Sequence, residues 1–127
     1  EGLRRSEVVS ARKSIAIEGL SHLTAIPVAT RIGPLVVSSV IAPFNPGTRT
    51  VPDTVAAQYA NIFHHVGLML EAAGADWRHV AKMEFWTPPV DREALDPFWI
   101  EKFPDAASRP ARRPPKKAPA MPRRPAP

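Results

Sequence analysis

Arg109 and Arg112 bracket a Pro-Ala dipeptide, and the stretch Arg109-Pro110-Ala111-Arg112 is where chemistry would sit in this chain. A guanidinium is planar and permanently charged, and it grips a carboxylate through two parallel N–H···O bonds. The competing reading makes Arg112 one more charge in a solvated basic tail, because Arg113, Lys116, Lys117, Arg123 and Arg124 follow it. Other reactive groups are scarce. The absence of Cys excludes a thiolate nucleophile, a disulfide framework and Cys-based zinc sites. His64 and His65 are neighbours on a helix, so their rings point about 100° apart, and no carboxylate stands four residues on. A surface or interface pair is expected there, not a metal site. Glu84 could serve as an acid or base, but Lys82 shares its strand face, which favours a structural or interface ion pair. Phe85, Trp86, Phe98, Trp99 and Phe103 read as core and interface aromatics and not as a platform for stacking bases.

The elements that must position these residues follow from pattern. Ser14–Glu18 alternates, with Ile15 and Ile17 on one face, and predicts a short strand that Gly19 ends. Val28–Ile32 predicts a second strand and Gly33-Pro34 a turn. Leu35–Ile41 is apolar on both parities and predicts a strand covered on both faces. Asn45-Pro46-Gly47-Thr48 predicts a turn, because Pro fixes φ at the second position and Gly supplies positive φ at the third. Val55, Tyr59, Ile62, Val66, Met69 and Ala73 recur at helical spacing, widened by Phe63 and Leu70. Asp53 or Thr54 would cap that helix and Gly74 would end it. Asp76 would cap a short turn over Trp77-Arg78-His79. Val80–Thr87 predicts a strand with Ala81, Met83 and Phe85 on one face and Lys82, Glu84 and Trp86 on the other. After Pro88-Pro89, Asp91–Phe103 predicts a second helix, kinked at Pro97 unless Asp96 caps a shorter one.

Charge is distributed unevenly. The chain of 127 residues carries a net +5, yet residues 109–127 hold seven basic side chains and no acid. Residues 1–108 are therefore mildly acidic, with ten bases against twelve acids. Seven of the last nineteen residues are Pro, so residues 114–127 predict an extended, solvated, basic tail outside any sheet. Residues 1–12 are mixed and polar and predict a flexible arm. The chain length suits one domain, here residues 13–113. No apolar run reaches the roughly 18 residues a membrane span needs. Glu1-Gly2-Leu3-Arg4-Arg5 lacks the layout of a secretory signal, so a cytoplasmic location without membrane contact is expected.

One order of motifs runs through the chain: Asn45-Pro46 with Thr48; Val51-Pro52 leading to Val55-Ala56-Ala57-Gln58; Leu70-Glu71-Ala72-Ala73-Gly74; the strand Val80–Thr87; Phe103-Pro104; and Pro110-Ala111-Arg112. In order and spacing it resembles the RidA (YjgF-like) family over residues 13–113. The resemblance implies an α+β fold of RidA/chorismate-mutase-like type, a mixed sheet packed on two helices. It also implies a homotrimer with a pocket at each subunit boundary, and hydrolysis of reactive 2-imino and enamine acids. It assigns Arg112, on a loop, as the catalytic carboxylate anchor, with Asp96 and Ser39 as substrate-binding partners. Water held in the pocket would attack the activated C=N bond, so neither cofactor nor metal is implied. The ligands would be small 2-imino or 2-keto acids.

The chain departs from the family pattern at several points. The family's Ser-Gly-Gln is Ser39-Val40-Ile41, a pocket tyrosine falls near Ile26, the second-helix asparagine is matched by Asp96, and a small residue after the arginine is Pro114. Where the family continues with two strands and a water-orienting glutamate, this sequence has its Pro-rich basic residues. The expectation is an impaired deaminase. The alternatives are a non-catalytic small-carboxylate-binding or structural trimer and, more weakly, an RNA-cleaving or RNA-binding member that uses the basic tail.

Overall fold

The computed structural model describes residues 11–20, 22–86 and 92–113. The expectations for the N-terminal arm up to residue 10, for Thr87-Pro88-Pro89, and for the basic tail from Pro114 onward lie outside the described residues. The structure is α+β and divides after His79 into two compact units.

The first unit holds strands β1 (Lys13–Ile15), β2 (Ala29–Ile32) and β3 (Leu35–Ser38) and helix α1 (Val55–Ala72). The strands form an antiparallel sheet in the order β1-β2-β3. Ile32 pairs with Leu35, which leaves Gly33-Pro34 as a two-residue loop. Gly33 has φ +56, and Pro must keep φ negative, so the pair has the signs of a type II′ turn whose twist suits a hairpin. β1 is shorter than expected and shifted toward its N-terminus. Its partner β2 begins at Ala29, opposite Ile15, and the chain turns at once, with the Leu20 amide donating to Ile17 O at 3.1 Å. β3 likewise stops at Ser38 instead of Ile41. Its apolar residues are not covered on both faces in the single chain, since Leu35 is 62% and Val37 57% exposed.

Helix α1 follows the rules of its ends. The Thr54 hydroxyl accepts from the Ala57 amide at 3.2 Å and so relieves one unpaired donor of the first turn. At the other end Gly74 has φ +73, its amide donates to Glu71 O, and the Ala75 amide reaches back to Leu70 O. That is the Schellman pattern, which satisfies orphan carbonyls. Arg31 of β2 donates to Ala73 O at the same terminus, where a cation also suits the helix dipole. Tyr59, Phe63, Val66 and Leu70 are buried at spacings of 4, 3 and 4, so the apolar stripe is centred one strip away from the expected line through Ile62 and Met69.

His65 corrects the reading of a surface or interface histidine pair. His64 is exposed, but His65 is only 1% exposed. Its Nε2 lies 2.7 Å from Phe44 O; a carbonyl only accepts, so Nε2 carries the proton. One turn earlier, the Asn61 amide donates to Pro43 O and to Asn45 Oδ1. Two polar side chains on one helix face thus hold the loop after β3. That loop enters the expected turn at Asn45, where the Thr48 amide donates to Asn45 O at 3.0 Å and Gly47 has φ +74.

The second unit contains β4 (Lys82–Glu84), α2 (Arg92–Lys102) and β5 (Ala111–Arg113). β4 and β5 are parallel, with Met83 opposite Arg112. Parallel neighbours need a long crossover, and α2 supplies it. Among the described residues, Lys82–Glu84 is the paired part of the expected strand, opposite Ala111–Arg113. The expected alternation holds from Lys82 to Trp86, with Phe85 buried, Met83 half-buried, and Lys82, Glu84 and Trp86 exposed; Ala81, expected on the packed face, is exposed as well. Helix α2 begins at Arg92 and runs through Pro97, so Asp96 lies inside it and caps nothing. Pro97 deprives Glu93 O of its usual amide; both residues are exposed, which leaves that carbonyl to water. Leu95, Trp99 and Phe103 recur every fourth residue and are buried. Trp99 meets Phe103 edge-on at 4.7 Å and Phe85 at 6.3 Å between ring centroids.

Two measurements test these assignments. Replacing His65 by Ala removes a buried hydrogen bond and leaves both a void and an unpaired Phe44 carbonyl; a loss of about 2–4 kcal/mol in urea unfolding is expected. Asp76 Oδ2 takes Arg78 Nη2 at 2.8 Å and Oδ1 takes the Arg78 amide at 2.8 Å. Chiefly through the side-chain bond, and then the amide, its carboxyl is lowered from an ordinary 3.8 to about 2. A depressed acid stabilises the fold above its unfolded value and loses that contribution as pH falls through the folded one. An NMR titration should therefore place the Asp76 midpoint near the lower value, and Arg78→Ala should return it toward the higher.

Candidate functional site

The second unit builds its site from β5 and one face of α2. Arg112 is the middle residue of β5, so pairing with β4 fixes its backbone. Its side chain is 20% exposed, and its guanidinium carbon lies 4.9 Å from the centroid of the Trp99 ring. A guanidinium held over an aromatic face gains from the ring quadrupole and is fixed in orientation. Asp96 stands three residues before Trp99 and therefore on the same helix face. Its Oδ1 accepts from both Nη1 and Nη2 of Arg112, each at 3.3 Å. Those contacts are longer than the 2.7–2.9 Å or so of a well-formed charge-assisted pair. One oxygen facing two nitrogens also leaves the fork half used. Among the described residues, Asp96 Oδ2 and Arg112 Nε have no hydrogen-bond partner. A carboxylate with two oxygens could therefore make a better match to Arg112 than Asp96 does.

Neighbouring charges are committed elsewhere. The Glu84 carboxylate lies 3.6 Å from Lys82 Nζ and 3.5 Å from Arg113 Nη1, an exposed strand-face network. Such pairs contribute little stability. Arg109 braces the loop after α2, with Nε donating to Phe103 O at 2.8 Å. Asp105 shapes the same loop: its Oδ1 accepts from the Ala107 amide at 2.9 Å. Of the two arginines in Arg109-Pro110-Ala111-Arg112, one is structural and the other faces the candidate site. Arg112 lies on a strand and not on the expected loop.

Ser39 belongs to the first unit, where its hydroxyl donates to Pro27 O at 2.8 Å. The structure thus brings Arg112 and Asp96 together and uses Ser39 locally. Next to Ser39, Val40 is 73% exposed and lines a cavity of about 330 Å³ with His22, Val28, Ile41, Phe44 and Arg49. His22 Nε2 lies 3.1 Å from Val40 O, and the buried Nδ1 has no hydrogen-bond partner among the described residues. Ile26, at the position matched to the family's tyrosine, is 49% exposed. Sequence reasoning missed two residues here. Trp99 was readable as Arg112's support from its spacing to Asp96, but as an apolar residue it was assigned to the core. A single His22 in an irregular stretch carried no signal. No group of three His, Cys, Asp or Glu side chains arranged to hold a metal ion occurs among the described residues. No described helix is long and apolar enough to cross a membrane.

No family model matches the sequence, and no curated protein does. Solved structures do match. The YjgF gene product of E. coli is 27% identical, with 80% of this chain covering 82% of that one at a TM-score of 0.70. RidA from an Antarctic Psychrobacter is 22% identical over 79% of this chain and 81% of its own, also with a TM-score of 0.70. Yeast Mmf1 is 15% identical over 81% and 82%, with a TM-score of 0.71. The α+β fold is that of the RidA (YjgF-like) proteins. The likeness is to the same group that the order of its motifs resembles.

Proposed function

We propose that this chain handles small carboxylic acids in the RidA manner, with Arg112 as the anchor, and hydrolyses 2-imino acids at a reduced rate. One observation carries the reading: a half-buried guanidinium braced on Trp99 turns its donor edge toward a loosely held carboxylate. In the reaction, water oxygen adds to the C=N carbon, the C–N bond breaks, and nitrogen leaves as ammonia while the 2-keto acid remains. The carbon is already electrophilic, so the protein's contribution is to hold the acid group and exclude unproductive poses. Val40 stands where the family has a pocket glycine, and this supports the reduced rate.

A second reading, carboxylate binding without turnover, is favoured by the Asp96 contact itself, since both Nη atoms already have an acceptor. Turnover separates the two. With 2-iminopropionate generated in situ, the full chain should release ammonia faster than the uncatalysed background. Arg112→Ala should lower kcat/KM by about 100-fold, the order expected when a charged positioning group is lost. Background-level release by the intact chain would leave the binding reading, and unchanged kinetics in Arg112→Ala would remove Arg112 as anchor.

The functional unit in this reading is a homotrimer. Its support is the apolar surface of the hairpin, where Ile32, Leu35 and Val37 are each 45% exposed or more. Contiguous apolar area of this kind commonly marks an interface. Light scattering at micromolar concentration should give three times the monomer mass of 13.9 kDa. A monomer mass would overturn the assembly, and Leu35→Asp should shift the trimer toward monomer.

A further inference from the structure

We propose that Asp96 sets the charge selectivity of the Arg112 site, so that the site rejects ligands bringing only a carboxylate and retains those that also carry an N–H donor beside it. The inference rests on the reading of Arg112 as an acid anchor and adds a discrimination to it. Arg112 and Asp96 together present no net charge, so a lone anion is not drawn to the pair as it would be to an unpaired guanidinium. An incoming carboxylate has two ways to reach Arg112. It can displace Asp96 Oδ1 from Nη1 and Nη2, or it can take the edge that contains Nε, which has no partner among the described residues. By either route it ends a few ångströms from the Asp96 carboxylate. Asp96 is 48% exposed on a continuous helix, and its backbone cannot withdraw. Two like charges about 5 Å apart at a half-exposed site cost about tenfold in affinity.

A donor nitrogen next to the ligand's acid group reverses that term. It can meet Asp96 Oδ2, which accepts no hydrogen bond among the described residues, while the acid group meets Arg112. The site then holds two opposed pairs in place of one. An iminium acid and an amino acid zwitterion both have this pattern, and a 2-keto acid lacks it. The discrimination would therefore fall between the substrate of the proposed hydrolysis and its product. Asp96 would favour departure of the keto acid once the nitrogen has left.

Isothermal titration of the full chain with L-alanine and with pyruvate tests this without a reaction. The wild-type chain should bind alanine more tightly than pyruvate. Asp96→Asn removes the charge and keeps the size; pyruvate should then bind about tenfold more tightly, alanine more weakly, and the order should invert. Asp96→Glu keeps the charge and should keep the wild-type order. Pyruvate binding to the wild type as tightly as alanine, or no alanine binding, overturns the proposal before any variant is made. So does the same order in Asp96→Asn and Asp96→Glu. Failure here is distinct from failure of the parent reading, because Arg112→Ala still lowers kcat/KM for hydrolysis by about 100-fold if the anchor stands, whatever Asp96→Asn does.

Discussion

Burial of Trp99 is the contact on which the second unit depends. A parallel ladder of three residues has too few hydrogen bonds to stand by itself. What holds β4 and β5 in register is the helix between them, whose Leu95 and Trp99, with Phe103 just past its end, form the apolar face. Trp99 also does something its neighbours do not. Its ring makes T-shaped contacts with Phe103 and Phe85, and its face supports the Arg112 guanidinium. Replacing Trp99 by an aliphatic residue would refill much of the volume but would leave Arg112 without a surface to lie on. Core packing and site geometry are the same interaction here.

In the first unit the corresponding constraint is polar. Asn61 and His65 project from α1 and hold successive carbonyls of Pro43 and Phe44. An irregular segment has no ladder of its own, and its carbonyls need partners from elsewhere. By supplying them from a rigid helix, the chain fixes the path from Ser39 to Asn45 and with it one wall of the cavity beside Val40. The buried His65 Nδ1 has no partner among the described residues, which makes this clamp costly as well as specific.

The parts of this fold that were legible in the sequence are those decided locally. Thr54, Gly74 and the helical recurrence of apolar residues between Val55 and Ala73 define α1 without reference to anything distant, although not which line of them is buried, and Gly33-Pro34 and Pro46-Gly47 define their turns by φ alone. Strand ends were not legible, because a strand ends where its partner does: β1 stops opposite Ala29, the first residue of β2. His65 looked like a surface residue because nothing in its neighbourhood names Phe44 O as its acceptor. Arg109 and Arg112 are the same residue type three positions apart. Only the loop carbonyl at Phe103 and the ring at Trp99 distinguish the brace from the anchor.

Charge within β5 is balanced in a way that net composition conceals. Neighbouring strand residues point to opposite faces, so Arg112 and Arg113 cannot act together. Each has a carboxylate of its own, Asp96 for one and Glu84 for the other. Arg113 is thus committed on the opposite face of the strand from Arg112, and an exposed pair of that kind is screened by salt over about 8–10 Å. Recognition at this site must come from short-range geometry: a flat cation on a ring, an acid with one oxygen unused, and whatever pattern of acceptor and donor fits between them.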